Sequence, residues 1–155
     1  MFGMLGPNGA GKTTLISMFT GMYRPSSGNA WIAGYDIKSQ LDIVQLQIGL
    51  CPQFDLLWGD LSVEEHLLFF ARLKGVEPES EQERVNISIS EVMLDKFRGF
   101  KVKTLSGGMK RRLSVAISLV SYPKIIFLDE PSTGLDRENR RQLWDILAAK
   151  EAKEL

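Results

Sequence analysis

A glycine-rich stretch near the start of the chain has the residue types and spacing of a phosphate-binding loop. Residues 6–13 read Gly-Pro-Asn-Gly-Ala-Gly-Lys-Thr, which fits the Walker A pattern. Glycines let the backbone approach phosphate oxygens, so that N–H groups and the start of the following helix can bind them. Lys12 is predicted to bridge the β- and γ-phosphates of a nucleotide, and Thr13 to place its hydroxyl on Mg²⁺. The predicted nucleotide-binding residues of this loop are Gly6, Asn8, Gly9, Ala10, Gly11, Lys12, Thr13 and Thr14.

Two adjacent carboxylates follow an apolar run in the second half of the chain. Residues 125–128 read Ile-Ile-Phe-Leu, which indicates a strand buried on both faces of a parallel sheet, and Asp129 and Glu130 come next. Since the carboxyl ends of parallel strands meet at one edge, the acids are expected beside the phosphate-binding loop. Asp129 is predicted to bind Mg²⁺, directly or through water, and Glu130 to act as general base on the attacking water.

Strand and helix signals alternate along the chain and position these motifs. Apolar runs predict strands at residues 2–5, 30–33, 48–51 and 125–128. Amphipathic spacing predicts helices at residues 12–22, from the Ser62/Glu65 capping box to Gly75, at 77–95, from about 109 to before Pro123, and at 137–155. The pattern favours an α/β protein.

The composition excludes several classes of protein. The 155 residues are 44% hydrophobic and 25% charged, which excludes a disordered or fibrous chain. Nineteen basic residues balance nineteen acidic ones, so the net charge gives no reason to bind nucleic acid, and no nucleic-acid partner is predicted. The single cysteine, Cys51, is interpreted as a small core residue. No apolar run approaches the roughly 18 residues of a membrane-spanning helix.

A third motif, Leu105-Ser106-Gly107-Gly108-Met109, opens an apolar helix shortly before the acidic pair. Here the chain resembles the nucleotide-binding domain of ABC transporters. In that family this signature meets the γ-phosphate of ATP held by an opposing domain. The resemblance therefore implies that Ser106, Gly107 and Gly108 bind nucleotide, as expected for an anion site at a helix N-terminus.

Two more segments extend the resemblance. Gln53, within residues 51–55, matches the Q-loop, whose Gln senses Mg²⁺ and the attacking water. The resemblance thus implies Lys12, Gln53 and Glu130 as catalytic residues and Thr13, Gln53 and Asp129 as metal ligands. Asp136, within residues 132–136, matches the D-loop, which contacts the other domain of a dimer, and the resemblance places Asp136 among the nucleotide-binding residues.

A finer resemblance is to the A subfamily (lipid-exporter type) and related bacterial multidrug and ABC-2 exporters. It lies in residues 23–28, 34–37, 63–75 and 109–113, where Met109 replaces the Gln of generic members. The implied fold is a P-loop NTPase with a parallel-sheet core, helices on both faces and a small helical subdomain. The expected division is a RecA-like core of residues 1–52 and 122–155 and a helical subdomain of about 58–121, within a partial domain spanning 1–155.

Two features of the family have no counterpart in this sequence. The upstream aromatic residue that stacks on adenine and the histidine beyond the D-loop are both missing, so the chain is expected to be the middle of a nucleotide-binding domain. Its only histidine, His66, is expected on a surface or coupling face instead of in catalysis.

The resemblance implies a transport-coupled ATPase that uses ATP and Mg²⁺. Its partners would be a second nucleotide-binding domain, arranged head to tail, and the transmembrane domains of an exporter of lipid or another amphipathic substrate. The chain would then be membrane-associated on the cytoplasmic side without a spanning segment of its own. Two alternatives are a soluble ABC-type ATPase acting on ribosomes, and a catalytically silent fragment. Leu105 follows Gln53 by 52 positions, and the interval contains no heptad run, which argues against DNA-repair relatives with long coiled coils.

Overall fold

Ten helices and strands, joined by short turns, make up the part of the chain that the structure describes. The structure is a computed structural model that describes residues 2–153, with side chains described for residues 2–150. In chain order the elements are α1 (Lys12–Phe19), β1 (Trp31–Ile32), β2 (Tyr35–Asp36), α2 (Leu41–Gln47), β3 (Ile48–Cys51), α3 (Val63–Leu73), α4 (Pro78–Glu91), α5 (Gly107–Leu119), β4 (Ile125–Leu128) and α6 (Arg137–Lys153). Two single 3₁₀ turns, Asp95–Phe97 and Val102–Thr104, connect α4 to α5.

The parallel pair β3–β4 sets the position of the acidic residues. Ile48 lies opposite Ile125 and Cys51 opposite Leu128, so both strands end at the same edge. The pairing continues one residue further, because the Asp129 amide donates to the Cys51 carbonyl over 3.0 Å. The loops after β3 and β4 are therefore held side by side. The other pair, β1–β2, is a short antiparallel hairpin.

Helix α5 packs closely on β3. A Cβ atom built on Gly49 would lie 2.0 Å from the backbone oxygen of Ser118, a distance that real Cβ atoms do not reach. Glycine at this position lets the helix and the strand approach each other. The last turn of α5 is thereby held against β3.

The predicted capping box at the start of α3 is present. The Ser62 hydroxyl accepts from the Glu65 amide at 3.2 Å, and the Glu65 carboxylate accepts from the Ser62 amide at 2.6 Å. These bonds use two N–H groups that have no partner within the helix. At the other end Gly75, with φ of 73°, allows the chain to leave the helix as predicted.

Three clusters of buried side chains hold the elements together. The first joins α3, α4 and α5 and includes Leu67, Ile89 and Leu113. The second lies between the β3–β4 pair and helices α5 and α6, and it contains Cys51, which is fully buried as predicted. Burial raises the pKa of the Cys51 thiol to about 11, so this cysteine is protonated and unreactive. The third lies under β1, α2 and β3.

The structure corrects two predictions about strands. Residues 2–5 do not form a strand, and Phe2 and Leu5 are 92% and 97% exposed, because no strand of the described chain pairs with them. Strand β4 is only partly buried at all four positions, instead of being covered on both faces. Within residues 2–153 it pairs with β3 alone, which leaves its other edge open.

None of the helices among the described residues is long and apolar enough to cross a membrane.

Candidate functional site

The phosphate-binding loop has the backbone that its glycines predicted. Gly9 and Gly11 have φ values of 84° and 90°, a left-handed conformation that favours glycine. Gly11 immediately precedes α1, so the first amides of this helix are directed into the loop. The remaining predicted binding residues, Gly6, Asn8, Ala10 and Thr14, are exposed around it. An anion reaching this loop would meet free N–H groups and the positive end of a helix dipole.

The loop is joined directly to the acid that ends β4. The Thr13 hydroxyl donates to Asp129 Oδ2 over 2.7 Å, across 116 residues of sequence. Asp129 is only 5% exposed, so its carboxylate is aimed at this contact instead of at solvent. The two side chains assigned to Mg²⁺ from the sequence are therefore adjacent in space.

Glu130 is the meeting point of the other predicted catalytic residues. Lys12 Nζ lies 3.8 Å from Glu130 Oε1, and Gln53 Nε2 donates to Glu130 Oε2 over 3.3 Å. Lys12 also donates to the carbonyls of Gly6 and Pro7 at 2.9 and 3.3 Å, so its ammonium lies between the loop and the acid. The structure thus brings Lys12, Gln53 and Glu130 into one cluster.

Glu130 itself has a strained backbone. Its φ of 45° is left-handed, which costs a residue with a Cβ roughly 1–2 kcal/mol. Thr133 contributes to holding it there: its amide donates to the Glu130 carbonyl and its hydroxyl to Oε2, both over 3.1 Å. Strain of this kind persists where the surroundings over-determine it and is common at functional sites. The sequence analysis placed Thr133 in the D-loop but did not predict its bonds to Glu130, because a Thr in a turn carries no such signal.

The donors present suit Mg²⁺. Thr13 and Asp129 offer one hydroxyl and one carboxylate, and both line a cavity of about 200 Å³ together with Gln53. Mg²⁺ takes hard oxygen ligands and is usually bound by one or two carboxylates together with substrate phosphates. In the described part of the chain no group of three or more His, Cys, Asp or Glu could hold a metal alone. These residues therefore fit a metal that arrives with a nucleotide.

The signature residues lie at the start of α5. Ser106 caps α5 by accepting from the Met109 amide at 3.3 Å, and the amides of Gly107 and Gly108 are the first two of the helix. Among the described residues no hydrogen bond or ion pair joins Ser106, Gly107 or Gly108 to Lys12 or Glu130. The signature therefore contributes nothing to the hydrogen bonds and ion pair that hold Lys12 and Glu130.

The predicted D-loop residue Asp136 lies just before α6. It accepts from the Asn139 side chain, and this bond lowers the pKa of its carboxyl below the usual range. A Cβ atom on Gly108 would collide with the same Asn139 side chain at 2.2 Å. The Asn139 side chain thus occupies the space beside Gly108, and the start of α6 lies against the signature.

His66 is buried, which corrects the expectation of a surface or coupling-face position. Its ring is fully shielded from solvent and stacks on Trp58 with centroids 5.6 Å apart. Nε2 accepts from the Trp58 amide and Nδ1 donates to the Ser62 carbonyl, both over 2.9 Å. His66 was misplaced because the apolar face of α3 was read from its aliphatic residues alone. It anchors the end of the segment that follows Gln53.

Acid is expected to weaken the fold through His66. Burial lowers the pKa of His66 below its ordinary value of about 6.5, the hydrogen bond to Ser62 and the charge of Glu65 acting the other way. Between the two pKa values the unfolded chain binds a proton that the folded chain excludes. The free energy of unfolding should therefore fall as pH drops below about 6.5, by at most about 1.4 kcal/mol per pH unit.

Denaturant titrations between pH 7.5 and 5.5 test this contribution against His66→Gln, which cannot titrate. Carboxyl groups with lowered pKa values, such as Glu65 and Asp36, titrate below this window in both proteins. The wild type should lose more stability on acidification than the variant. Parallel pH profiles of the two proteins would show that His66 is not responsible.

The structure also identifies Arg111, to which the sequence analysis gave no role beyond its place in residues 109–113. It is 4% exposed on α5 and donates to the loops after both β3 and β4. The sequence did contain a signal that Arg111 is buried: by its helical register, it lies on the same stripe of α5 as the buried residues Val115 and Ser118.

Comparisons with known proteins agree with this geometry. Residues 1–133 match the family described as ABC transporter. The chain is 53% identical over 150 residues to ABC transporter A family member 8 of Arabidopsis thaliana, and 54% identical over 144 residues to A family member 9 of Dictyostelium discoideum. These alignments cover 94% and 93% of this chain but only 16% and 17% of the relatives. The chain thus spans about a sixth of the length of these curated relatives.

Two solved structures have the same fold. One, described as the ATP binding subunit of an ABC transporter, superposes with a TM-score of 0.82 at 28% identity and covers 96% of this chain and 62% of that chain. The other, cbiO1 from Clostridium perfringens, is described as part of the ABC transporter complex cbiONQ. It superposes with a TM-score of 0.84 at 28% identity and covers 96% of this chain and 61% of that one. The predicted P-loop NTPase fold is confirmed.

Proposed function

The chain belongs to the ABC transporter family, as an ATP-binding domain of the A subfamily type, and we propose that it hydrolyses Mg·ATP to drive a membrane transporter. ABC ATP-binding domains are ATPases in general. The main support for this proposal is that residues of the phosphate-binding loop contact both acids, Asp129 and Glu130. Thr13 contacts Asp129 at 2.7 Å, and Lys12 lies 3.8 Å from Glu130.

The chemistry we propose divides among these residues. Thr13 and Asp129 would hold Mg²⁺, which supplies positive charge on the phosphate oxygens, and Gln53 would be its third protein ligand or contact it through water. Lys12 would turn from the loop carbonyls to the β- and γ-phosphates. Glu130 would accept a proton from the attacking water at its carboxylate, with Gln53 orienting that carboxylate through the bond they share.

We propose that the signature serves a second domain. Ser106, Gly107 and Gly108 offer the amides of a helix N-terminus and make no described bond to Lys12 or Glu130 of the same chain. This arrangement suits a head-to-tail pair in which each signature binds the nucleotide held by the other domain. Asp136, exposed just before α6, would contact the opposing domain.

We propose a subdomain boundary consistent with this role. Residues 1–52 and 122–155 would form a RecA-like core, and residues of about 58–121 a helical subdomain. The mutual packing of α3, α4 and α5 in one hydrophobic cluster supports this division. Because Gln53 lies at the junction, its loop is suited to link the site to transmembrane domains.

The proposed setting is the cytoplasmic face of a membrane, in a transporter that exports lipid or another amphipathic substrate. The support is the identity of 50–54% to several A family members over most of this chain. A soluble ATPase acting on ribosomes would instead separate from membranes without detergent. Fractionation of the native protein thus distinguishes the two settings.

Mg·ATP titration and phosphate release from the protein at its full native length test the proposed activity. Saturable binding and steady hydrolysis, both lost in excess EDTA, are the expected results. The isolated 155-residue chain should bind nucleotide weakly and turn over negligibly, because it has neither the adenine-stacking aromatic nor the downstream histidine of the family. A full-length protein that gives no response to Mg·ATP would refute the proposal.

A further inference from the structure

The side chain of Arg111 lies between the loop after β3 and the loop after β4, which are called the catalytic loops here because they carry Gln53 and Glu130. Its Nε donates to the Pro131 carbonyl over 2.7 Å, and Nη1 donates to the Pro52 carbonyl over 2.7 Å. Weaker contacts reach the carbonyls of Gln53 at 3.4 Å, Asp129 at 3.4 Å and Glu130 at 3.5 Å. One guanidinium therefore binds the backbone of the loop after β3 and of the loop after β4 together.

The charge of Arg111 is compensated inside the fold. Asp55 Oδ1 lies 3.1 Å from Nη1, and the Ser114 hydroxyl, one turn along α5, donates to the same oxygen over 2.8 Å. A buried cation needs such a partner, but one carboxylate would suffice for that purpose. The five carbonyl contacts go beyond charge compensation, and all of them lie on segments that carry or flank Gln53 and Glu130.

The contacts of Arg111 also lie on both sides of Glu130, the residue with the strained backbone. Arg111 faces the carbonyls of Asp129, Glu130 and Pro131, so it holds the backbone on both sides of the left-handed Glu130. A planar guanidinium has five donors in a fixed fork, which allows it to fix the spacing of several acceptors at once. A left-handed glutamate persists only when its neighbours leave no alternative.

We propose that Arg111 is a positioning residue for hydrolysis: it fixes the two loops so that Gln53 and Glu130 meet at the nucleotide. This inference rests on the proposed function, since it assigns a role within that reaction. Arg111 touches neither Lys12 nor Thr13 among its described contacts, and it reaches Gln53 and Asp129 only through their backbone carbonyls, so the phosphate-binding loop should not depend on it. Its removal should act on kcat and leave ATP affinity largely intact.

The neighbouring Arg112 offers a matched control. It lies on the same helix and is also partly buried, but it donates to the carbonyls of Val92 and Met93 at the end of α4, at 2.9 and 3.3 Å. None of its described bonds reaches either catalytic loop. Arg112→Met therefore removes the same charge and the same donors from α5 without releasing Gln53 or Glu130.

The experiment compares Arg111→Met, Arg111→Lys and Arg112→Met in the protein at its full native length. For each, kcat, the Kd for Mg·ATP and the melting temperature are measured. Arg111→Met should lower kcat by about 100-fold, the loss typical of misplacing a catalytic group by about 1 Å, with Kd changed by less than about threefold. Arg111→Lys keeps the positive charge beside Asp55, but an ammonium group lacks the rigid set of donors that binds both loops at once. This variant should therefore recover only part of kcat.

The outcomes separate this inference from the proposed function. A wild type that does not hydrolyse ATP refutes the proposed function and the inference with it. With an active wild type, kcat of Arg111→Met within about threefold of normal overturns the inference alone. Equal losses of kcat in Arg111→Met and Arg112→Met overturn it too, since they would report general weakening of α5. If Arg111→Met does not fold, Arg111→Lys decides, and an unchanged kcat there overturns the inference.

Discussion

Replacing Glu130 by Gln in the full-length protein is expected to lower kcat for ATP hydrolysis by about 10³-fold while ATP binding is retained. Gln has the shape of Glu but cannot accept the proton of the attacking water. General bases contribute about 10²–10⁴-fold, and Glu130 is the residue on which Lys12, Gln53 and Thr133 converge. The loss should appear in kcat because Glu130 does not belong to the phosphate-binding loop.

The binding part of this prediction has its own measurement. ATP that cannot be hydrolysed should remain in the site and hold two domains closed on it, so nucleotide should elute with the protein after gel filtration. Glu83→Gln is the matched control, because Glu83 lies on the exposed face of α4, and it should leave kcat unchanged. Normal steady-state hydrolysis by Glu130→Gln would show that another group is the base.

The local features of the site were predictable because each depends on short sequence spacing. The glycines that give Gly9 and Gly11 their positive φ values lie within the loop itself, and the Ser62/Glu65 box spans one helical turn. The meeting of Thr13 with Asp129 was predictable for a different reason. Both belong to motifs whose relation to the sheet edge is fixed by parallel-strand geometry, and the fold confirms that geometry.

The features that the sequence analysis missed depend on contacts between distant segments. The helical register of Arg111 indicated burial, but it binds carbonyls 18 to 59 residues away, and no sequence spacing indicates which loops it reaches. His66 shares a buried stripe of α3 with Val63 and Leu67, but the apolar face was read from aliphatic residues alone. The exposure of residues 2–5 and of one edge of β4 depends on which strands are available to pair, and apolar composition does not encode that.

Replacing Lys12 by Ala is expected to lower kcat/KM for ATP by about 10³-fold, through both affinity and turnover. Each hydrogen bond to a charged group contributes about 1.5–3 kcal/mol, and Lys12 is proposed to make two, one to each phosphate. Together they amount to about 4 kcal/mol, or about three powers of ten. Removing the ammonium also leaves the Glu130 carboxylate without the cation 3.8 Å away, so it would repel the incoming phosphates.

The matched control for this change is Lys124→Ala. Lys124 is exposed and precedes β4, so it lies about 13 Å of strand away from the edge that carries Asp129 and Glu130. Lys124→Ala removes one positive charge from the same part of the fold without changing the phosphate-binding loop. Calorimetric titration with Mg·ATP should show weak binding for Lys12→Ala and wild-type binding for Lys124→Ala. Equal affinity of the wild type and Lys12→Ala would mean that nucleotide phosphates do not lie against this loop.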